Sequence, residues 1–403
     1  MKILRKYSLL IGGLGFSNLG NWIYLVALNL LIWHLTQSPA AMAGIFIVGP
    51  IARVLTSLVA GSFIDRMNKR KLMIATDIIR GCIVFCMPFM ESIWLIYMLL
   101  FLANIASSFF GPSSTYYITK LVPSEDRQRF NAILGTFNSG SFLVGPALAG
   151  VLIMLFNTTI TIWFNSFTFF VCALIIYLLP DVDDVKETSR QRITWQILKS
   201  DYLAVIAFIR QHSLFITIYL LFQSTLMIAF ALDSQETTFI KQDLALSDSL
   251  YGVFVSSAGA GAIVGGMVAA SFAKKRSTRS YMAFGLLLTM LFYTAFYAST
   301  SSVLAFVSFV FLGFFMAFSN TGYETFYQQN VLPEMMGRFG SISSIFQNIL
   351  QISFTLLLGL FAELFTLQMT AIIFGIISIL LSLSLYFVLY SPKNYIGLKE
   401  EVS

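Results

Sequence analysis

The sequence predicts an all-α membrane protein, with twelve transmembrane helices forming two six-helix bundles related by a parallel repeat. Three observations carry this: an apolar composition, basic residues sorted to one side of the apolar segments, and phrases that recur in the two halves. The 403 residues are 57% hydrophobic, 15% aromatic and only 11% charged, with a mean hydropathy of +0.81, whereas soluble chains carry about 25% charge. A span takes about 20 residues, so twelve need roughly 240. That leaves no length for a large soluble catalytic or nucleic-acid-binding domain. The net charge of +6 reads as membrane topology, not as a footprint for nucleic acid.

Apolar stretches bounded by polar breaks place the first six spans at 9–33, 41–63, 72–89, 93–117, 132–156 and 159–179. Six more follow at 214–232, 249–272, 281–298, 303–327, 341–364 and 369–390. The basic N-terminal residues lead into a run without a small-residue cleavage signature, so this run reads as the first span and not as a signal peptide. With the N-terminus cytoplasmic, the loops on that side collect 22 Lys and Arg residues and the opposite side only Lys241. Positive charge resists translocation, so both termini are expected in the cytoplasm of a plasma-membrane protein.

The one long polar stretch lies in the middle, giving an N-terminal bundle over 1–179, a cytoplasmic linker over 180–212 and a C-terminal bundle over 213–403. Within the linker, Trp195, Ile197, Leu198, Tyr202, Val205, Ile206 and Phe208 alternate with Lys199, Asp201 and Arg210, a pattern that suits a helix in the membrane interface. The repeat shows as STYYITKLVP at 114–123 against ETFYQQNVLP at 324–333. Likewise Phe130 follows an Arg and precedes Gly150 by 20 positions, as Phe339 does Gly359. Six helices separate the copies, so the halves share one membrane orientation, as in transporters that work by alternating access.

Cys82, Cys86 and Cys172 fall in apolar runs and read as small buried hydrophobes. His34 and His212 stand alone near helix ends, so no metal site is expected. The glycine-rich SAGAGAIVGG over 257–266 lacks the Lys-Ser/Thr of a phosphate loop and reads as helix packing. No ATP site and no cofactor are expected.

The loop after the second span reads GSFIDRMNKRK. Its Gly61, Asp65, Arg66, Lys69 and Arg70 resemble the G-x-x-x-D-R-x-x-[RK]-[RK] signature of the major facilitator superfamily. The resemblance implies a cytoplasmic conformational latch, which Asp77 and Arg80 at i,i+3 would support. In the fifth span Ser141, Gly145, Pro146, Ala149 and Gly150 resemble the helix pattern of the superfamily's proton-coupled exporters. Asp77-Ile-Ile-Arg80, Phe109-Phe-Gly-Pro112 and Leu121-Val-Pro-Ser-Glu125 look like its macrolide-efflux branch. The span-four arginine of many family exporters is absent, with Asn104 near its place, so that proton relay does not carry over.

Four charges are singled out as proton-coupling candidates. Arg53 lies about 18 Å up the helix from Asp65, near the bilayer centre, where a charge costs about 2.5–3.5 kcal/mol on insertion scales; Asn18 and Asn21 are expected among its acceptors. Asp233 and Glu236 share a helical face at i,i+3, and two close carboxylates raise each other's proton affinity. Glu324 is the fourth. The resemblance places spans one, four, seven and ten around a central cavity, which Asn18, Asn21, Trp22, Asn104, Gln223, Phe326 and Tyr327 would line. Amides and aromatics suit a bulky, largely apolar cargo.

The expectation is therefore a monomeric secondary transporter that exports a hydrophobic or amphipathic compound, such as a drug or macrolide, in exchange for protons. An exporter of a siderophore, lipid or peptide product is the alternative cargo. A membrane-embedded enzyme would need clustered catalytic groups, against which the two isolated histidines argue, and a channel does not require the repeat.

Overall fold

The structure, a computed structural model, describes residues 2–182, 195–272, 277–331 and 333–391. The first half contains α1 (Lys2–Thr36), α2 (Pro39–Arg66), α3 (Lys69–Cys86), α4 (Ile93–Leu121), α5 (Ser124–Leu155) and α6 (Thr158–Leu178). Next come α7 (Trp195–Gln211), α8 (Ser213–Asp233) and the single turn α9 (Glu236–Thr238), which runs into a π-helical turn over Phe239–Asp243. The rest is α10 (Asp248–Phe272), α11 (Thr278–Ala298), α12 (Ser302–Asn330), α13 (Pro333–Leu364) and α14 (Leu367–Tyr390). Among the described residues there is no strand, and twelve helices, all but α7 and α9, are long and apolar enough to cross a membrane.

Capping side chains set the helix starts. Asn68 Oδ1 accepts from Lys71 N at 2.9 Å and Asn157 Oδ1 from Ile160 N at 2.8 Å, satisfying first-turn amides that have no partner inside the helix. Several helices outrun the apolar windows. The fifth and eleventh spans begin in sequence at 132 and 341, yet α5 starts at Ser124 and α13 at Pro333. Hydropathy reports where hydrocarbon ends, while the backbone ladder continues for two more turns into the polar flank.

The chain forms two compact units, Met1–Arg192 with Leu246–Ser256, and Ile193–Ala245 with Ser257–Ser403. In the first, α1 packs on α5 and α6, α3 on α4 and α6, and α2 on α4. The second repeats the scheme, with α8 on α13 and α14 and α11 on α12 and α14. Helices α3 to α6 and α11 to α14 start 209 residues apart throughout, at Lys69 and Thr278, Ile93 and Ser302, Ser124 and Pro333, and Thr158 and Leu367. In place of the α2–α4 contact, α10 meets α12 through glycine. A Cβ at Gly265 would fall 2.8 Å from the Phe314 carbonyl carbon, and one at Gly313 would strike the Ala258 carbonyl.

The flanks of both units are apolar and open, with Trp94 76%, Val303 73% and Leu364 73% exposed. Surfaces like these are stable only where hydrocarbon is the solvent. Cys82 and Cys86 belong to such a flank: they are exposed on α3, and only Cys172 is buried. Apolar composition cannot separate a lipid-facing thiol from a core one. The expected linker contributes α7, where Val205 and Phe208 are buried and Phe208 meets Phe215 and Phe339, each at 5.7 Å between ring centroids. Residues 183–194 of the linker lie outside the described residues.

Candidate functional site

Helix α8 ends at Asp233, where the Ser234 backbone N–H caps onto Leu232 and Phe230 carbonyls. The chain turns through Gln235 and restarts at Glu236, so both carboxylates border one break in the helix. Tyr293, from near the end of α11 and only 1% exposed, reaches this break. Its hydroxyl contacts Glu236 Oε1 at 2.6 Å and also bonds Asp233 Oδ1. One turn on, the Tyr297 hydroxyl donates to the Leu232 carbonyl at 2.5 Å. Phe239, Phe296 and Tyr297 close the apolar side, with Phe239 5.0 Å from each of the other rings. Asp233 and Glu236 each keep part of their surface open. Burial, with Asp233 beside it, pushes the Glu236 carboxyl well above its ordinary range.

Counting hydrogens shows what this trio can do. Three groups meet, and with both carboxylates ionised the tyrosine O–H is the one proton available for two acceptors. One added proton completes a chain: a carboxyl O–H donates to the tyrosine oxygen, whose own O–H donates to the second carboxylate. Tyr293 escaped the sequence reading because it lies 57 residues from Glu236; the signal was a pair of tyrosines spaced i,i+4 near a helix end.

In the first unit Arg53 is exposed in the middle of the 28-residue α2. Its neighbour is Asn104 of α4, because Gly49 leaves room for both: a Cβ there would sit 3.2 Å from Asn104 Oδ1 and 3.4 Å from Arg53 Nη1. Asn21, expected to face Arg53, instead accepts from Arg80 Nη2 at 3.4 Å. Which side α1 turns to α2 depends on how the helices cross, and periodicity along one helix does not carry that.

Arg80 pairs with the fully buried Asp77 at 3.3 Å, and its guanidinium lies 4.0 Å from the Phe169 ring centroid. Arg70 Nε donates to the Ile176 carbonyl at 3.1 Å, its Nη2 to the Tyr177 carbonyl, and Lys69 Nζ lies 4.8 Å over the Tyr116 ring. These residues brace the start of α3 against α6 and α4. The side chains of Gly61, Asp65 and Arg66 lie outside the described residues.

The α5 motif packs α5 closely against its neighbours. A Cβ at Gly145 would lie 2.5 Å from that of Trp22, and one at Gly150 would lie 2.8 Å from the Ser249 carbonyl oxygen. Ser141 Oγ bonds the Phe137 carbonyl at 2.8 Å, and Ala149 and Pro146 are buried. Within the same unit Asn29 Nδ2 donates to the Tyr251 hydroxyl at 3.2 Å, and His34 meets Asp248 at 2.9 Å.

Of the expected cavity residues, Asn18, Trp22, Asn104 and Tyr327 are partly exposed. Phe326 is not a lining residue: it is 4% exposed and stacks on Phe215 at 5.5 Å. Gln223 is also buried and bonds Tyr323. Tyr323, which the sequence reading passed over, stacks on Phe222 at 4.3 Å, and Tyr219 accepts from Gln347 at 2.8 Å. Glu324 is exposed on α12. No group of three or more metal-ligating side chains occurs among the described residues.

Two repeated six-helix bundles with polar and ionisable groups inside apolar helices define a membrane transporter, not an enzyme. The chain belongs to the major facilitator superfamily, whose family pattern it matches over residues 10–237 and 214–401. It is 28% identical to the uncharacterized MFS-type transporter YfiS of Bacillus subtilis over 165 residues, 41% of this chain and 40% of that one. It is 28% identical to BacE of Bacillus subtilis, described as a candidate bacilysin exporter, over 180 residues, 44% of this chain and 45% of that one. With macrolide efflux protein A of Streptococcus pyogenes it shares 24% over 152 residues, 36% of this chain and 38% of that one. The chain thus spans less than half the length of these curated relatives. Among solved structures it resembles the nucleoside transporter NupG, with a TM-score of 0.76 at 14% identity, covering 97% of this chain and 100% of that one. A bacterial Spinster homologue gives 0.75 at 14% identity, covering 98% of each chain.

Proposed function

We propose that this transporter exports a hydrophobic or amphipathic organic compound across the plasma membrane in exchange for protons, with both termini cytoplasmic and the Asp233–Tyr293–Glu236 trio as the proton carrier. The observation that carries the reading is the convergence of two carboxylates on one buried tyrosine hydroxyl. A proton on Glu236 completes the hydrogen-bond chain and removes one charge from a desolvated site. Its release restores two adjacent negative charges, so the two protonation states favour different local conformations. The break in α8 and the following π turn supply a segment able to respond, since such turns cluster at functional sites. Export is supported by the exporters among the relatives and by the close α5 packing; Glu324, exposed on α12, is the lesser candidate.

The test is reconstitution of the full chain in proteoliposomes with a pH dye inside, screened against amphipathic compounds with and without an imposed pH gradient. Compound movement should accelerate with the gradient and dissipate it. Transport indifferent to the gradient, or full gradient-driven transport by the Asp233→Asn/Glu236→Gln double variant, would overturn proton coupling through this trio.

A further inference from the structure

Helix α12 has two exposed faces of opposite character. On its outer half Val303, Leu304, Val307 and Phe311 are exposed, an apolar face suited to hydrocarbon. On its cytoplasmic half the exposed side chains include Asn320, Thr321, Glu324 and Gln328. At 3.6 residues per turn, Asn320 and Glu324 lie about 180° and 140° around the helix from Phe311. Glu324 therefore points away from the apolar face. The strip it belongs to reaches Asn320, about 15 Å inside the cytoplasmic end of the helix at 1.5 Å per residue. Hydrocarbon does not solvate amides and carboxylates at that depth, so the strip borders water or cargo.

The 209-residue spacing separates what the architecture requires from what is particular to this helix. Asn320, Glu324 and Gln328 answer to Gly111, Thr115 and Thr119 of α4, which are exposed as well. Exposure of this face is common to both copies, whereas the charge is not. Neither α4 nor the rest of α12 holds another carboxylate. Among the described residues Glu324 enters no ion pair.

Two tyrosines flank the carboxylate. Tyr323 precedes Glu324 and Tyr327 follows it by three positions, and the carboxylate acts electrostatically on both phenols. Tyr323 lies flat on Phe222, 4.3 Å away at 8° between planes, and bonds Gln223. Tyr327, partly exposed, stands 6.2 Å from Tyr323 and 6.1 Å from Phe339 between ring centroids. The rings are thus braced from behind, beside a single negative charge. An ammonium group suits both features. It donates charge-assisted hydrogen bonds to a carboxylate, and the ring quadrupole attracts it within about 6 Å of a centroid.

We infer that Glu324, flanked by Tyr323 and Tyr327, recognises a protonated amine on the transported compound. This rests on the export reading and narrows its cargo to amphipathic amines. It requires nothing of the proton-carrying trio.

Binding is measured by titration calorimetry on the full chain in detergent at fixed neutral pH, where no gradient exists. The probes are phenylalkylamines of increasing chain length, each paired with its N-acetyl derivative, which keeps the apolar body and removes the charge. Amines should bind roughly 10- to 150-fold more tightly than their acetyl derivatives, the worth of a charge-assisted hydrogen bond of about 1.5–3 kcal/mol. Glu324→Gln should collapse that ratio, and Glu324→Asp should keep part of it. Tyr327→Phe, which retains the π face, should preserve the ratio, whereas Tyr327→Leu should lower it. A thermal melt of each variant shows whether the fold is intact. Equal binding of amine and acetyl derivative by the unmodified chain, an undiminished ratio in a folded Glu324→Gln, or a panel in which no amine binds would overturn the assignment. Failure of proteoliposomes to move the amines with the ratio intact would instead count against the export reading alone.

Discussion

Replacing Tyr293 with Phe removes the hydroxyl from the centre of the trio and leaves the ring, and so its contacts with Phe296 and Tyr297, in place. The lost hydroxyl lies 2.6 Å from Glu236 and also bonds Asp233. The hydroxyl donates to one carboxylate in either protonation state, but only in the protonated state does it also accept from a carboxyl O–H, so the variant loses one more bond from the protonated state than from the ionised one. A neutral hydrogen bond nets about 0.5–1.5 kcal/mol, and at 1.36 kcal/mol per tenfold the carboxylates should hold their proton roughly 2- to 13-fold less tightly. Proton capture then limits the cycle. Gradient-driven transport in proteoliposomes should slow by a comparable factor at neutral pH and recover as the pH of the side that supplies the proton falls. Exchange of labelled for unlabelled cargo, which needs no net proton movement, should be nearly unchanged. An unaltered rate and an unmoved pH profile in well-folded Tyr293→Phe would refute the reasoning.

Four further outcomes are expected. Because burial raises Glu236 above its unfolded value of 4.5, its contribution to stability is complete below that value and fades as pH rises through the raised one. The melting temperature in detergent should therefore fall towards alkaline pH more steeply for the unmodified chain than for Glu236→Gln; parallel curves would remove the effect. Asp77→Asn strands the buried Arg80 and should cost about 3–5 kcal/mol, seen as a lower melting temperature, whereas Asp77→Leu with Arg80→Met should regain much of the loss. Gly265→Ala should disrupt the fold, because its Cβ would meet the Phe314 backbone, while Gly266→Ala, with nothing within 4 Å, should express normally. Cysteines placed at Lys69 and Lys275 should be labelled only from the cytoplasm and one at Asp243 only from outside; labelling of position 275 from outside would refute the topology.

Hydropathy was enough to read twelve spans, because apolar length is a property of each segment by itself. The polar partnerships were less legible. Asp233 and Glu236 were visible as a pair because both lie on one short stretch. Tyr293 was not, since it reaches them from another helix whose rotation is set by packing against α12 and α14. The same limit applies to Asn21, which bonds Arg80 and not Arg53, and to Phe326, whose aromatic character marks a lining surface and a core equally well. Gly49 illustrates the reverse case: its role became visible only when the two side chains that share its space were placed.

The helix scheme is duplicated, but the buried chemistry is not. At the 209-residue spacing, the positions of Asp77 and Arg80 are filled by Leu286 and Thr289, both buried, and Tyr293 answers to Val84. One set of packing instructions has been copied and the ionisable inventory has then diverged, so each unit keeps the same skeleton while holding a different kind of electrical cargo. The first stores an internally balanced ion pair. The second stores two carboxylates that share one tyrosine hydroxyl. Swapping the two inventories across the repeat, Leu and Thr for the ion pair and the reverse, would leave the helix scheme unchanged while bringing the ion pair onto α11, the helix that carries Tyr293.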